Sequence, residues 1–176
     1  MPDKLPPRAE GSVLAVTASS DINAPPDKVW EVLLDFPSYP EWNAFVRTQT
    51  VVDKSGHPHA SQLISEGSLL HLTVHLPPTM EHKERPSSTS LLVTLLDHST
   101  HRVAWESQTL PAWLLRTERW QWLTVLDSGK TRYETIEVFN GPLAWIIKWF
   151  VSANLRLGFQ AMADGVKERT EGIVPS

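Results

Sequence analysis

The chain has no cysteine among its 176 residues. That removes disulfides, thiol nucleophiles and thiolate metal sites, and it fits a reducing compartment. Excess positive charge is also missing: the net charge is -4 and no Lys/Arg cluster stands out, so there is no footprint for nucleic acid. The most apolar stretch, residues 143–151, is too short to span a bilayer and is interrupted by Lys148. The first 12 residues are polar and proline-bearing, without the apolar run of a signal peptide, so the cytoplasm is the expected location. No phosphate loop, dinucleotide fingerprint, nucleophile elbow or zinc spacing is present, and no cofactor is implied. His71 and His75 lie four strand residues apart on a presumed outer face, roughly 13 Å of backbone, too far to share a metal.

What is present is tryptophan and proline. Eight Trp stand against two Tyr and five Phe, and there are 14 Pro. Residues 1–11 read as a flexible tail, residues 12–171 as one domain and residues 172–176 as a C-terminal tail. Residues 12–22 alternate as a strand. Pro25-Pro26-Asp27 opens a helix in which Val29, Trp30, Leu33 and Leu34 follow at helical spacing, and a second short helix spans residues 38–43. Strands follow at 45–53, 68–76, 90–97, 102–107, 116–126 and 130–139, with a further short one near 62–65. Ser128-Gly129 reads as a two-residue hairpin turn. Gly141-Pro142 opens a long helix running to about Thr170, with Ile147, Val151, Leu155, Gly158, Met162 and Val166 on the face toward the sheet. Two short helices, consecutive strands and a long last helix make an α+β domain with an antiparallel sheet.

Side chains alternate across a strand, so parity assigns faces. Two Trp on one side of residues 116–126 argue that Arg116, Glu118, Trp120 and Trp122 face inward. Pairing Asp127 with Lys130 sets Glu137 opposite Trp120, with Tyr133, Thr135 and Phe139 on the same face as Glu137. On this reading Glu118 and Glu137 converge. Two desolvated carboxylates raise each other's pKa, so one serves as general acid and the other as base, with Arg116 or Tyr133 polarising a carbonyl. The competing reading is structural: an inward Glu near a sheet edge often pairs with arginine, and Arg116, Arg119 and Arg132 are all nearby. Trp145 and Trp149 fall on the polar stripe of the long helix. There the tail or the loop at 111–115 is expected to cover them; the alternative is a contact with a membrane, a partner or a second copy of the chain.

Several runs of residues carry a family resemblance. Ile22-Asn23-Ala24-Pro25-Pro26-Asp27-Lys28-Val29-Trp30, followed by Asp35-Phe36-Pro37-Ser38-Tyr39-Pro40-Glu41-Trp42-Asn43, resembles the opening of the START/Bet v 1-like (SRPBCC) superfamily, in its polyketide cyclase/dehydrase and lipid-transport branch. Val103-Ala104-Trp105, Glu137-Val138-Phe139-Asn140-Gly141 and Gly158-Phe159-Gln160-Ala161-Met162 continue the similarity in order. The resemblance implies a helix-grip fold, a curved sheet around the long C-terminal helix with a ligand cavity between them. The expected walls are Trp105, Trp120, Trp122, Thr135, Phe139, Leu72 and Val74 on the sheet, facing Ile147, Val151, Leu155, Gly158 and Met162. Many relatives in this branch carry His where this chain has Glu118, which argues against a shared use of that position. The superfamily hosts both enzymes and carriers. The expected function is therefore a cofactor-independent cyclase, dehydratase or isomerase acting on a hydrophobic polyketide- or terpenoid-like molecule, or else a carrier of a lipid, quinone or sterol. Convergence of Glu118 and Glu137 without arginine favours the enzyme; neutralisation by arginine, or an outward Glu118, favours the carrier.

Overall fold

A computed structural model describes residues 4–82 and 86–172; the last four residues of the expected C-terminal tail, and the first three of the N-terminal one, lie outside the described residues. Seven strands form one antiparallel sheet: β1 (Leu14–Ile22), β2 (Val46–Val52), β3 (Leu69–Val74), β4 (Ser87–Asp97), β5 (Arg102–Ser107), β6 (Arg116–Val125) and β7 (Thr131–Asn140). Their order across the sheet is β1-β7-β6-β5-β4-β3-β2. Two short helices, α1 (Pro26–Leu34) and α2 (Tyr39–Trp42), follow β1, and α3 (Pro142–Phe150) and α4 (Ser152–Glu171) follow β7. This is the helix-grip architecture, with α4 packed along the concave face and most extensively against β1.

Local chemistry sets these elements. Pro26 occupies the first turn of α1, where its fixed φ helps and its missing N–H costs nothing. Val29, Trp30 and Leu33 are the buried face of that helix. The Tyr39 hydroxyl, buried in the core, donates to the Leu33 carbonyl at 2.6 Å and so ties α2 to α1. The Asn43 Oδ1 accepts from the Phe45 and Val46 amides at 3.1 and 2.8 Å, which turns the chain into β2. The segment at 62–65 is not a strand; instead Gln62 Oε1 accepts from the Val51 amide at 2.8 Å and its amide group donates back to the Val51 carbonyl. α4 is held by tertiary burial of Leu155, Phe159, Met162 and Val166, each contributing roughly 1.5–3 kcal/mol before entropy is charged against it.

Two expectations fail here for identifiable reasons. The long C-terminal helix is broken at Val151, whose φ of -120° leaves the helical region. Ser152 Oγ donates to the Lys148 carbonyl at 2.7 Å, a back-bond that bends helices, next to a β-branched residue. The second failure moves half of a strand's side chains. The β6–β7 loop has three residues, not two: Leu126 donates to the Lys130 carbonyl at 2.8 Å, and Gly129 sits at φ 76°. Arg119 is therefore opposite Glu137, and Trp120 is opposite Ile136. A one-residue slip exchanges the faces of a strand. On β6 the concave face carries Thr117, Arg119, Gln121 and Leu123, while Arg116, Glu118, Trp120 and Trp122 point outward.

The outward tryptophans are still covered. Trp120 is 2% exposed in a small outer cluster with Ala104, Ile136 and Val138, flanked by Ala15, Leu95 and Trp122. The N-terminal arm runs over this side: Lys4 Nζ donates to the Thr94 carbonyl, and Pro7 and Arg8 lie beside Glu118 and Val138. The central strands are thus buried on both faces.

Candidate functional site: a cavity between the sheet and the last helix

The concave face encloses a cavity of about 220 Å³. Leu72 and Val74 come from β3, Thr89 and Leu91 from β4, Trp105 and Ser107 from β5. Thr117 and Arg119 come from β6, Glu137 and Phe139 from β7, and Leu155 from α4. Phe45 and Val46 close one side, and Thr109, Leu110 and Leu115 of the β5–β6 loop form another. Arg119 and Glu137 are the two ionisable side chains in this lining.

Arg119 is 4% exposed and held on several sides. Its Nε donates to Thr135 Oγ1 at 3.2 Å and its Nη2 to Met162 Sδ at 3.2 Å. The guanidinium carbon lies 4.2 Å from the Phe159 ring centroid and 5.9 Å from that of Phe45. A cation stacked on aromatic faces away from water is held more firmly than one at the surface. Thr135 passes the constraint on, donating to the Trp120 carbonyl at 2.9 Å.

Glu137 is half-buried by surface area because it borders the cavity, yet protein surrounds its carboxyl. Burial pushes the pKa up from 4.5, against the opposing pull of the Arg119 charge and the Thr117 hydroxyl. Tyr133 lies deeper on the same face, with its hydroxyl donating to Gln121 Oε1 at 2.6 Å; burial raises its pKa as well. Tyr133 does not border the cavity.

Six of the expected residues line this space: Trp105, Leu72, Val74, Phe139, Leu155 and Glu137. Thr135 and Met162 lie beneath it as the partners of Arg119. Gly158 acts by its small size, because a Cβ there would stand 2.5 Å from the Phe45 ring. Ile147 and Val151 pack partly buried against the core without bordering the cavity. The register corrects the remaining four. Glu118 is on the outer face, accepting from the Trp120 indole at 2.7 Å. Trp122 donates its indole N–H to Glu134 at 3.0 Å, also outside. Arg116 pairs with Glu106 at 3.3 Å with its side chain more than half exposed. Glu118 and Glu137 therefore do not converge. Arg119 is the charged lining residue outside the expected set, and the length of the hairpin loop is the signal that places it inward.

Trp145 and Trp149 differ from expectation too. The N-terminal arm crosses the opposite side of the sheet, and Leu114 of the 111–115 loop accepts from the Leu143 amide at the start of α3. Both indoles stay exposed. His75 is buried, with Nδ1 3.0 Å from the Thr79 carbonyl. Among the described residues no three His, Asp or Glu side chains gather as metal ligands, and no helix is long and apolar enough to cross a membrane.

Comparison with known proteins gives the family and the fold. Residues 14–171 match the family described as polyketide cyclase / dehydrase and lipid transport. The chain belongs to that family. A curated relative, oxopyrrolidines biosynthesis cluster protein O of Penicillium oxalicum, is 25% identical over 93% of this chain and 90% of its own. Among solved structures, a hypothetical protein of Helicobacter pylori superposes with a TM-score of 0.73 at 15% identity, covering 97% of both chains. The ZhuI aromatase/cyclase of Streptomyces sp. R1128 gives 0.61 at 16% identity, covering 89% of this chain and 94% of its own. At these identities the solved structures speak to the fold alone.

Proposed function

We propose that this chain binds a small, flat, oxygen-bearing apolar molecule between its sheet and α4, with Arg119 and Glu137 gripping the oxygens. One observation carries this reading: a cross-strand Arg–Glu pair faces an otherwise uncharged, largely apolar cavity. The apolar wall supplies affinity and the pair supplies orientation, the usual division of labour in a small-molecule site. A volume of about 220 Å³ lies just below the ~300–1,000 Å³ of typical ligand sites. It suits one or two fused rings, or part of a longer molecule that leaves through the mouth. The name of the Penicillium relative supports a biosynthetic intermediate as the ligand.

The two-carboxylate mechanism is set aside, because Glu118 faces outward and Glu137 faces an arginine. This tilts the reading toward binding. A second reading, cyclase-type catalysis by one carboxyl, is favoured by the raised pKa of Glu137. In that scheme the Glu137 carboxylate takes a proton from the carbon next to a ligand carbonyl, and Arg119 holds the enolate oxygen. The enolate carbon then attacks a second carbonyl, whose oxygen receives the proton back from Glu137.

Tryptophan-fluorescence titration tests the binding reading, using 2-acetyl-1-naphthol against 2-ethylnaphthalene, which has a similar shape without the oxygens. The protein should prefer the oxygenated probe about tenfold, equivalent to about 1.4 kcal/mol, and Arg119→Met should abolish that preference. Equal affinities for the two probes would refute it. For the catalytic reading, Glu137→Gln should retain binding of a poly-oxo precursor and lose its ring closure.

A further inference from the structure

The structure carries a second apolar surface outside the cavity. Trp149 is 71% exposed, Phe150 78% and Trp113 73%, and Trp145, Ile146 and Leu110 are exposed as well. Isolated exposed apolar side chains are ordinary, but these lie on two segments that are tied together. The Leu143 amide donates to the Leu114 carbonyl at 3.2 Å. Gly141 fits so closely beneath the loop that a Cβ would stand 2.6 Å from the same oxygen. The Trp145 and Trp149 rings are 6.3 Å apart, and Lys148 Nζ lies 4.9 Å from the Trp145 ring centroid. The loop that bears Trp113 also contributes Leu110 and Leu115 to the cavity wall, so the surface begins at the mouth.

The charge distribution indicates what the surface meets. In a chain with net charge -4, residues 138–163 contain no Asp or Glu but do contain Lys148 and Arg156. Residues 107–117 likewise contain no acid, and their one cation, Arg116, pairs with Glu106. The exposed β5–β6 loop and α3 thus carry no carboxylate of their own on a protein of net charge -4. A second copy of the chain would set cation against cation across this face. An anionic bilayer supplies the missing negative charge. It also offers an interface in which Trp rings settle and a lysine reaches up to the headgroups.

We infer that α3 and the β5–β6 loop form a docking surface for an anionic lipid bilayer, bringing the cavity mouth against the membrane. The helix lies in the interface and does not span it, with Trp149 and Phe150 entering the acyl boundary and Lys148 meeting phosphate or carboxylate headgroups. An apolar molecule then passes between lipid and cavity without crossing water. Docking is independent of what the cavity holds.

Vesicle co-sedimentation of the full chain tests this, with phosphatidylcholine vesicles containing about 30% phosphatidylserine and with phosphatidylcholine alone, each at low and high salt. The protein should bind the anionic vesicles, and should bind less at high salt and less to neutral vesicles. Trp149→Ser combined with Phe150→Ser should weaken binding at least about tenfold, and Lys148→Glu about fivefold on anionic vesicles only. Both variants should keep the unfolding temperature and naphthol affinity of the parent, because these side chains support neither core nor cavity. Absence of vesicle binding by the parent would overturn the inference. So would a dimer in sedimentation velocity that Trp149→Ser dissolves, since the face would then belong to a second copy.

Discussion

Replacing Arg119 with methionine tests how the cavity's polar pair is held. The substitution keeps much of the stem volume and removes three things. The charged hydrogen bond to Thr135 is worth about 1.5–3 kcal/mol. Stacking on Phe159 is worth about 2 kcal/mol in a desolvated setting. The charge that pulls the Glu137 pKa down goes as well, leaving that carboxyl without an opposing cation in the cavity lining. Against these stands relief from burying a guanidinium, so the expected net loss is about 3 kcal/mol at neutral pH.

The pH dependence separates this account from simple loss of packing. The Glu137 pKa is already raised above 4.5 in the fold, and without Arg119 it rises further. Between the unfolded value and the folded one, the native state binds more protons than the unfolded state, so stability falls as pH increases. Urea unfolding should therefore show a smaller penalty for Arg119→Met near about pH 5 than near about pH 8. Adding Glu137→Gln removes the orphaned charge, and the double variant should lose about 2 kcal/mol less than the sum of the single losses. Should Arg119→Met fail to fold, a folded double variant carries the same conclusion. Equal penalties at both pH values together with additive single effects would refute the reasoning.

Glu118→Leu should cost about 1–3 kcal/mol, by leaving the buried Trp120 indole without its acceptor, and should leave probe affinity unchanged. A loss of probe binding in that variant, read by fluorescence titration, would return Glu118 to the cavity. Gly158→Ala gains about 1 kcal/mol of helix propensity but forces the Phe45 ring aside at a cost of about 1–3 kcal/mol. Thermal unfolding should show no stabilisation, and probe affinity should fall because the ring moves into the cavity it lines.

Most of the fold was legible because periodicity and turn residues act locally. Pro25-Pro26 opening α1, the strands around Leu72, Trp105 and Phe139, and the inward face of β7 were all readable that way. The β6 face was not legible, because the presence of two tryptophans indicates an inner face only where the other face is wet. Here both are dry, since the outer cluster and the N-terminal arm enclose Trp120. The decision then passed to the hairpin, where Asp127-Ser128-Gly129 allows a two- or a three-residue loop with opposite consequences for every residue of β6. The break at Val151 was hidden for a related reason: the apolar repeat runs through it, and residues 148–154 contain no Gly or Pro to mark the bend.

The central claim is that the space between the concave sheet and α4, and not the outer tryptophan face, receives the ligand. Intermolecular NOEs between 2-acetyl-1-naphthol and the protein's methyl groups test it most directly. The account predicts contacts to Leu72, Leu91 and Leu155, all lost in a cavity-filling Leu155→Trp variant. Contacts to Ile136 and Val138 of the outer cluster instead, or none to the three leucines, would contradict it.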